Sequence, residues 1–470
     1  MSGSTRRTKI VATIGPSSSS EDALARIIDA GMDGARLNFS HGRHEDHAEN
    51  ARKVRAAQRA AGRPLALIAD LQGPKLRIGE LAETVSLRRD ESVVVSGEDG
   101  AHADDLPVSP SVIGSVLQPG HDVLVDDGLV RLRVERVEAG RAFCRVITGG
   151  DIEAHKGVNV PGLPLPVPSL TSKDLADLEF AVELGVDYVA QSFVRSRADV
   201  AGLRAHLEQA GSDAWVIAKI ELKEAVDAFE DILEEADAVM IARGDLGVEI
   251  GAAQVPLLQK RIILTALDRG KPAITATQML ESMVHHAEPT RAEASDVANA
   301  ILDGTSAVML SAETAVGEYP IEAVQTMDRI ACAVEPSLGY RHQLPGAAEA
   351  PTVGRAMSNA ACDLAEALGA KAILVPTFTG RTASAVARLR PRRPILALTH
   401  VHMSLQHMAI EWGVTPLEIP ESTDVEDLFG SSIAAARASG IVEEGDRVVL
   451  TAGTAVNIPG STNIIKVDTA

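Results

Sequence analysis

The run Leu65-Ala66-Leu67-Ile68-Ala69-Asp70 carries five apolar residues in succession and ends on a carboxylate. An unbroken apolar stretch of this length reads as a strand covered on both faces, the condition of a parallel sheet under helices. Its neighbours decide the architecture. Upstream, Thr8–Ile14 reads as a strand, followed by a helix that opens at Ser20-Glu21-Asp22 and stops near Gly31. Ala35–Phe39 is a second strand, and His44–Ala61 a long helix closed by Gly62. Downstream, from Leu71, the texture changes to short extended runs: Thr84–Leu87, Ser92–Ser96, Val123–Val125, Val130–Val137 and Arg141–Thr148. Turn residues separate them and no helical period is present. A stiff exit, Pro161-Gly162-Leu163-Pro164-Leu165-Pro166-Val167-Pro168, closes this all-β segment.

The strand–helix rhythm then resumes. Helix Ser172–Leu184 places Leu175, Leu178, Ala181 and Val182 on one face, and strands follow at Tyr188–Phe193, Trp215–Ile220, Ala238–Ala242, Ala273–Thr277 and Ala307–Leu310. With the three upstream strands this makes eight, the rhythm and size of a (β/α)8 TIM barrel with an all-β lid inserted after the third strand. A linker over His342–Pro351 leads to helix Thr352–Leu368 and to strands near Ala372–Pro376, Ile395–Thr399, Pro416–Ile419, Arg447–Leu450 and Asn463–Val467. This is a further α/β, Rossmann-like domain. The expected division is a barrel over 1–70 and 168–345, a lid over 71–167 and a C-terminal regulatory domain over 346–470.

A chain of 470 residues suits two or three domains. Its 65 acidic against 45 basic residues leave a formal charge of −20, which with only 2 Trp, 3 Tyr and 7 Phe argues against nucleic acid or an anionic lipid surface as partner. Cys144, Cys332 and Cys362 are widely spaced and odd in number, so neither a disulfide framework nor a thiolate metal site is indicated. With no signal-like or membrane-spanning apolar run, a reducing cytoplasm is the expected compartment.

Chemistry in such a barrel gathers at the C-terminal strand ends. Strand two ends in Arg36-Leu37-Asn38-Phe39-Ser40, whose alternation puts Arg36, Asn38 and Ser40 on one side. Strand three ends in Asp70, strand five in Lys219-Ile220-Glu221, strand six in Arg243-Gly244-Asp245, strand seven in Thr277 and strand eight in Ser311-Ala312-Glu313. Singly, each reads as a solvated or ion-paired residue. Six of eight strand ends on one rim form a site. Glu221 and Asp245 supply hard oxygen ligands of the kind Mg²⁺ prefers, too few to fill its octahedron. Arg36 and Lys219 stand to meet an anion, as a transferring phosphoryl group requires. The chemistry composed is metal-assisted phosphoryl or enolate chemistry on a small anionic substrate. No Walker A, GxGxxG or HExxH pattern occurs. His41, His44 and His47, at a helix start, read as a solvated face.

With these residues in place the chain resembles pyruvate kinases from Thr8 to the C-terminus. The resemblance rests on Thr8-Lys9-Ile10-Val11-Ala12-Thr13-Ile14-Gly15-Pro16, Arg36-Leu37-Asn38-Phe39-Ser40-His41-Gly42, Ile217-Ala218-Lys219-Ile220-Glu221, Ala242-Arg243-Gly244-Asp245-Leu246-Gly247, Thr277-Gln278-Met279-Leu280-Glu281-Ser282-Met283 and Pro289-Thr290-Arg291-Ala292-Glu293. It implies conversion of phosphoenolpyruvate and ADP to pyruvate and ATP, the last step of glycolysis, by a homotetramer. Carried over by position, Arg36 binds the phosphoryl group, and Asn38, Arg77 and the lid residue Lys156 hold the nucleotide. Lys219 stabilises the transferring phosphoryl and the enolate oxygen. Glu221 and Asp245 bind Mg²⁺, with Mn²⁺ an alternative ion. Gly244, Asp245 and Thr277 hold the substrate carboxylate, with Thr277 near the proton delivered to the enolate.

Besides Ala312, which replaces the usual Gly before Glu313, the chain departs from the family pattern in two places that bear on function. Leu71, Gln72 and Lys75 stand where potassium-dependent members carry Thr, Lys and Glu. There K⁺ sits among oxygens equivalent to Asn38, Ser40 and Asp70; here a tethered Lys75 ammonium is expected to serve that shell, making K⁺ unnecessary. In the C-terminal domain, Thr377-Phe378-Thr379-Gly380-Arg381-Thr382 resembles the family's effector-phosphate loop, with Thr377, Thr379, Gly380, Arg381 and Thr382 as the phosphate cradle. The later loop Ala452–Gly460 lacks the Trp and Arg that hold a second phosphate, so a monophosphate effector such as a sugar monophosphate or AMP is expected. Two rivals remain: another Mg²⁺-dependent barrel acting on an enolate, and an inactive sensor working through its C-terminal loop.

Overall fold

The computed structural model describes residues 6–163, 165–339, 352–454, 458 and 460–470. The linker His342–Pro351, Pro164 of the lid exit, and Ala455–Asn457 and Pro459 of the late loop lie outside the described residues.

Eight parallel strands close into a barrel: Lys9–Thr13, Gly34–Asn38, Ala66–Asp70, Tyr188–Gln191, Trp215–Ile220, Ala238–Ala242, Ala273–Ala276 and Ala307–Leu310. Each pairs with its successor and the first with the eighth; the third meets its successor, Tyr188–Gln191, although the lid is inserted between them in the chain. The helices between begin where side chains satisfy their free N–H groups. Ser20 accepts from Ala23 N, and Thr171 and Thr290 form reciprocal boxes with Asp174 and Glu293. Gly62, at φ +65°, ends the long second helix in a conformation that a side chain would strain.

The lid is a second closed barrel of seven strands. Three of these, Leu76–Ile78, Asp105–Ser109 and Gly157–Asn159, were not legible beforehand; runs of three to five residues are too short to show a period. A one-turn helix at Ile113–Val116 also interrupts what read as purely extended. The C-terminal sheet has five strands, four parallel and the last, Thr462–Thr469, antiparallel to Arg447–Gly453.

The barrel interior packs Val11, Ile68, Tyr188, Ile217, Met240, Ile274 and Met309 into one apolar cluster, and Ala409 and Ile410 of the C-terminal domain complete it at the N-terminal end of the strands. The seam there is dense. The Tyr188 hydroxyl donates to the His407 carbonyl at 2.6 Å, Gln406 Oε1 accepts from Leu65 N at 3.0 Å and from Gln58 at 2.8 Å, and Arg390 donates to the Gly304 carbonyl at 2.5 Å. With one end of the barrel covered by a domain, the opposite rim is left for chemistry.

Candidate active site

The rim is organised around a buried carboxylate. Asp70, 1% exposed, accepts from Arg36 Nε at 2.6 Å and lies 3.2 Å from Lys219 Nζ. Burial alone would raise its carboxyl; the Lys219 ammonium and the Arg36 guanidinium override that and hold it below the usual range. Arg36 also donates to Thr13 Oγ1 at 3.0 Å, which fixes the plane of its guanidinium. Lys219 also lies 3.6 Å from Glu221 Oε2 and donates to Ser192 Oγ at 2.5 Å. Burial would lower its pKa, but Asp70 and Glu221 raise it, so the side chain is a fixed ammonium at neutral pH.

Glu221 is also 1% exposed. One oxygen accepts from Phe193 N at 2.6 Å, while Oε2 accepts no hydrogen bond. Burial raises its carboxyl, Lys219 opposes the rise, and the negative charge of Asp245 adds to it. The strands fold this way because alternation in Trp215–Ile220 sends Lys219 inward to the rim, and the chain turn after Ile220 brings Glu221 beside it.

Around this centre, Thr277 adopts φ +63° and Gln278 φ +53°, a left-handed turn that non-glycine residues enter only when held there. Arg243 holds it. Its guanidinium donates to the Thr277 and Gln278 carbonyls at 2.8 and 2.9 Å and pairs with Asp296 at 2.6 Å. Glu313 likewise accepts from Leu280 N at 3.0 Å and Ser311 N at 2.7 Å. Both stand among the reactive rim residues by sequence; their hydrogen bonds to loop carbonyl and N–H groups assign them instead to loop support. The Thr277 hydroxyl accepts from Gly244 N at 2.9 Å and donates to the Ala276 carbonyl at 2.7 Å, so Gly244, Asp245 and Thr277 form one corner.

Lys75 differs from expectation. Its ammonium pairs with Asp245 Oδ1 at 3.0 Å, whereas Asp70 takes its positive charge from Arg36 and Lys219. The lid root carries Lys75 to the rim, and the partly buried Asp245, rather than Asp70 with its two cations, pairs with it. In the remaining shell, Asn38 Oδ1 accepts from Ser40 N at 3.2 Å. The nucleotide candidates on the lid lie apart from this cluster: Arg77 donates to the His155 carbonyl at 3.0 Å, and Lys156 pairs with Asp126 at 3.2 Å. Lys156 immediately precedes Gly157, the residue paired with Arg77 across the two strands. His41 reports the local field, since burial together with Arg77, Arg36, Lys75 and Lys173 lowers its pKa. The solvated reading of the histidines is corrected at His47, 7% exposed and stacked on Phe39 at 4.3 Å; His44 stacks on Phe180 and bonds Asp177 at 2.7 Å.

Ser192 and Phe193 were missed. They form the turn directly after the fourth strand, whose rim position carried no charge to attract notice, but a hydroxyl at a rim position was the available signal. In the C-terminal domain, a cavity of ≈ 370 Å³ is lined by Thr377, Thr379, Thr382, His400 and Thr462. Gly380, at φ +85°, turns the loop and its N–H donates to Thr377 Oγ1 at 3.0 Å. Arg381 lines the same cavity, and its guanidinium also reaches the barrel, 3.4 Å from Asp237 and 5.8 Å from the Trp215 ring.

Comparison with known proteins places this geometry. The family model described as "Pyruvate kinase, barrel domain" matches residues 5–324, and that described as "Pyruvate kinase, alpha/beta domain" matches residues 355–468. Among curated relatives, a pyruvate kinase of Geobacillus stearothermophilus is 44% identical over 98% of this chain and 80% of its own. One of Corynebacterium glutamicum is 43% identical over 98% and 97%, and one of Mycobacterium tuberculosis 44% identical over 98% of each. A closed parallel barrel with a charged C-terminal rim, a β lid and an α/β domain, matched along almost its whole length, makes this chain a phosphotransferase that belongs to the pyruvate kinase family.

Proposed function

We propose that the chain transfers the phosphoryl group of phosphoenolpyruvate to ADP, giving pyruvate and ATP, with Mg²⁺ as cofactor and Mn²⁺ as an alternative, in the closing step of glycolysis in the cytoplasm. Among the described helices none is long and apolar enough to cross a membrane. The observation that carries the reading is the buried series Arg36, Asp70, Lys219, Glu221, in which two cations are fixed by two acids at the rim.

The donor set fits a hard divalent cation. Glu221 Oε2 is buried without a hydrogen bond beside the second carboxylate, Asp245, and oxygen-only ligation by two acids suits Mg²⁺. When bound, Mg²⁺ neutralises phosphoryl and carboxylate oxygens as charge builds on them. The chain's own residues do the rest. Arg36 holds the phosphoryl oxygens with a guanidinium that Asp70 and Thr13 keep from rotating, and Lys219 meets the charge spreading from phosphoryl to enolate oxygen without first reorganising solvent. The bond from phosphorus to the enol oxygen breaks and one to the terminal ADP oxygen forms. The enolate then takes a proton at its terminal carbon, on the side where Thr277 presents its hydroxyl. Gly244 and Asp245 with Thr277 receive the substrate carboxylate, and Asn38, Arg77 and Lys156 the nucleotide phosphates.

The division into barrel (1–70, 168–345), lid (71–167) and regulatory domain (346–470) is part of this reading. So is independence of K⁺: a tethered ammonium, Lys75, already stands on the rim, at Asp245, while Asn38, Ser40 and Asp70 make the shell a free cation would use. The C-terminal cavity, with Thr377, Thr379, Gly380, Arg381 and Thr382 in and around the loop that borders it, is proposed to take a monophosphate effector, in a homotetramer. A coupled assay for ATP formed from phosphoenolpyruvate and ADP tests the central reaction; no ATP above the no-enzyme rate, with Mg²⁺ present, overturns it. Rate at low phosphoenolpyruvate titrated with AMP, a hexose monophosphate and fructose-1,6-bisphosphate tests the effector, and activation by the bisphosphate alone overturns that part. Gel filtration near the monomer mass overturns the tetramer.

A further inference from the structure

We infer that Ser192 is a positioning residue: it orients the Lys219 ammonium and ties it to the root of the lid. The inference rests on the proposed role of Lys219. Ser192 is 3% exposed, and its Oγ has two partners. It accepts from Lys219 Nζ at 2.5 Å and donates to the Leu71 carbonyl at 2.7 Å. Leu71 is the first residue past the third strand, where the chain leaves for the lid. One hydroxyl therefore joins the candidate phosphoryl-stabilising cation to the hinge of the domain that carries Arg77 and Lys156.

The surroundings are built to hold this link. Asp70 and Glu221 lie 3.2 and 3.6 Å from the Lys219 ammonium and both attract it; a neutral acceptor at 2.5 Å adds a third, shorter contact that restrains its position. Phe193, the next residue, stands at φ +55°, a backbone conformation that costs energy unless enforced, and its N–H donates to Glu221 Oε1 at 2.6 Å. The two-residue turn thus holds the cation through a side chain and the neighbouring acid through the backbone. The lid root is pressed against the same turn at Gly73, where a Cβ would come within 2.7 Å of the Phe193 ring and 3.1 Å of Ser192 Cβ. Gly73 N is in turn anchored by buried Asp174 at 2.9 Å. Hinge, turn and cation form one packed unit, and movement of the lid root displaces the acceptor of Lys219.

The test is steady-state kinetics on Ser192→Ala, which removes one atom from a packed site, with thermal melting as a check on folding. If Ser192 positions Lys219, kcat falls at least about tenfold while KM for phosphoenolpyruvate and ADP stay within about threefold, because the lost interaction belongs to the transition state. In the Lys219→Arg background, where the ammonium is gone, adding Ser192→Ala changes kcat less than about twofold. A kcat within about twofold of wild type, a raised KM for ADP with kcat unchanged, or an additive loss in the double variant each overturns the inference, the second by reducing Ser192 to support for the lid. A wild-type chain inactive with phosphoenolpyruvate and ADP instead overturns the reading on which the inference rests.

Discussion

His407 closes the seam between barrel and C-terminal domain, and acid should open it there. Its ring stacks on Trp215 at 4.3 Å, meets Tyr188 edge-on at 5.4 Å, and places Nε2 3.1 Å from the Asp187 carbonyl. Burial pushes its pKa down to about 4, with only the Asp187 carbonyl and the Asp237 charge opposing. The folded chain thus refuses a proton that the unfolded chain accepts at about 6.5. The contribution is complete above that value and declines as pH falls toward 4. A gap of about 2.5 pH units corresponds to about 3 kcal/mol, about three quarters of it lost by about pH 4.5. Buried Asp187, whose carboxyl burial raises despite Arg55, titrates in the same seam, so the comparison must cancel it. Urea unfolding followed by tryptophan fluorescence, with Trp215 and Trp412 the two reporters, is run at about pH 7 and pH 4.5 on wild type and His407→Phe. The Phe variant keeps the stack and cannot titrate; its loss of stability between the two pH values should be smaller by about 2 kcal/mol. Equal losses in the two proteins would refute the argument.

Lys219→Met should lower kcat by at least about 10³ with the melting temperature of a folded protein retained; near-normal turnover rules out the assigned role. With a tetramethylammonium salt as the only monovalent cation, activity should match that in K⁺, and near-zero activity restored by K⁺ removes the case for Lys75. Gly73→Ala forces a side chain into φ +70° and against Phe193 at 2.7 Å, so stability should fall by about 1–3 kcal/mol and KM for ADP should rise; an unchanged melting curve contradicts the packing at the lid root.

Much of the architecture was readable because it is periodic. Ala238–Ala242 and Ala307–Leu310 are strands whose limits in the structure coincide with those read from apolar runs, since a strand buried on both faces is apolar throughout. Short lid strands such as Leu76–Ile78 were not, because three residues held by cross-strand partners carry no period. The types of residue on the rim were also legible, since strand ends are countable along a chain.

Which of those residues face one another was not. Arg243 and Glu313 look as reactive in sequence as Lys219 and Glu221, yet backbone N–H and carbonyl groups from loops far along the chain consume them. Lys75 was assigned to the Asp70 shell and stands on Asp245, because Asp70 already has two cations and an ammonium on a flexible stem goes to the charge left over. Ser192 drew no notice until the fifth strand set Lys219 2.5 Å from it. Periodicity follows from the backbone and is written locally. The partner of a charge depends on what three-dimensional packing brings within a few ångströms, where burial makes each pairing strong and excludes the alternatives.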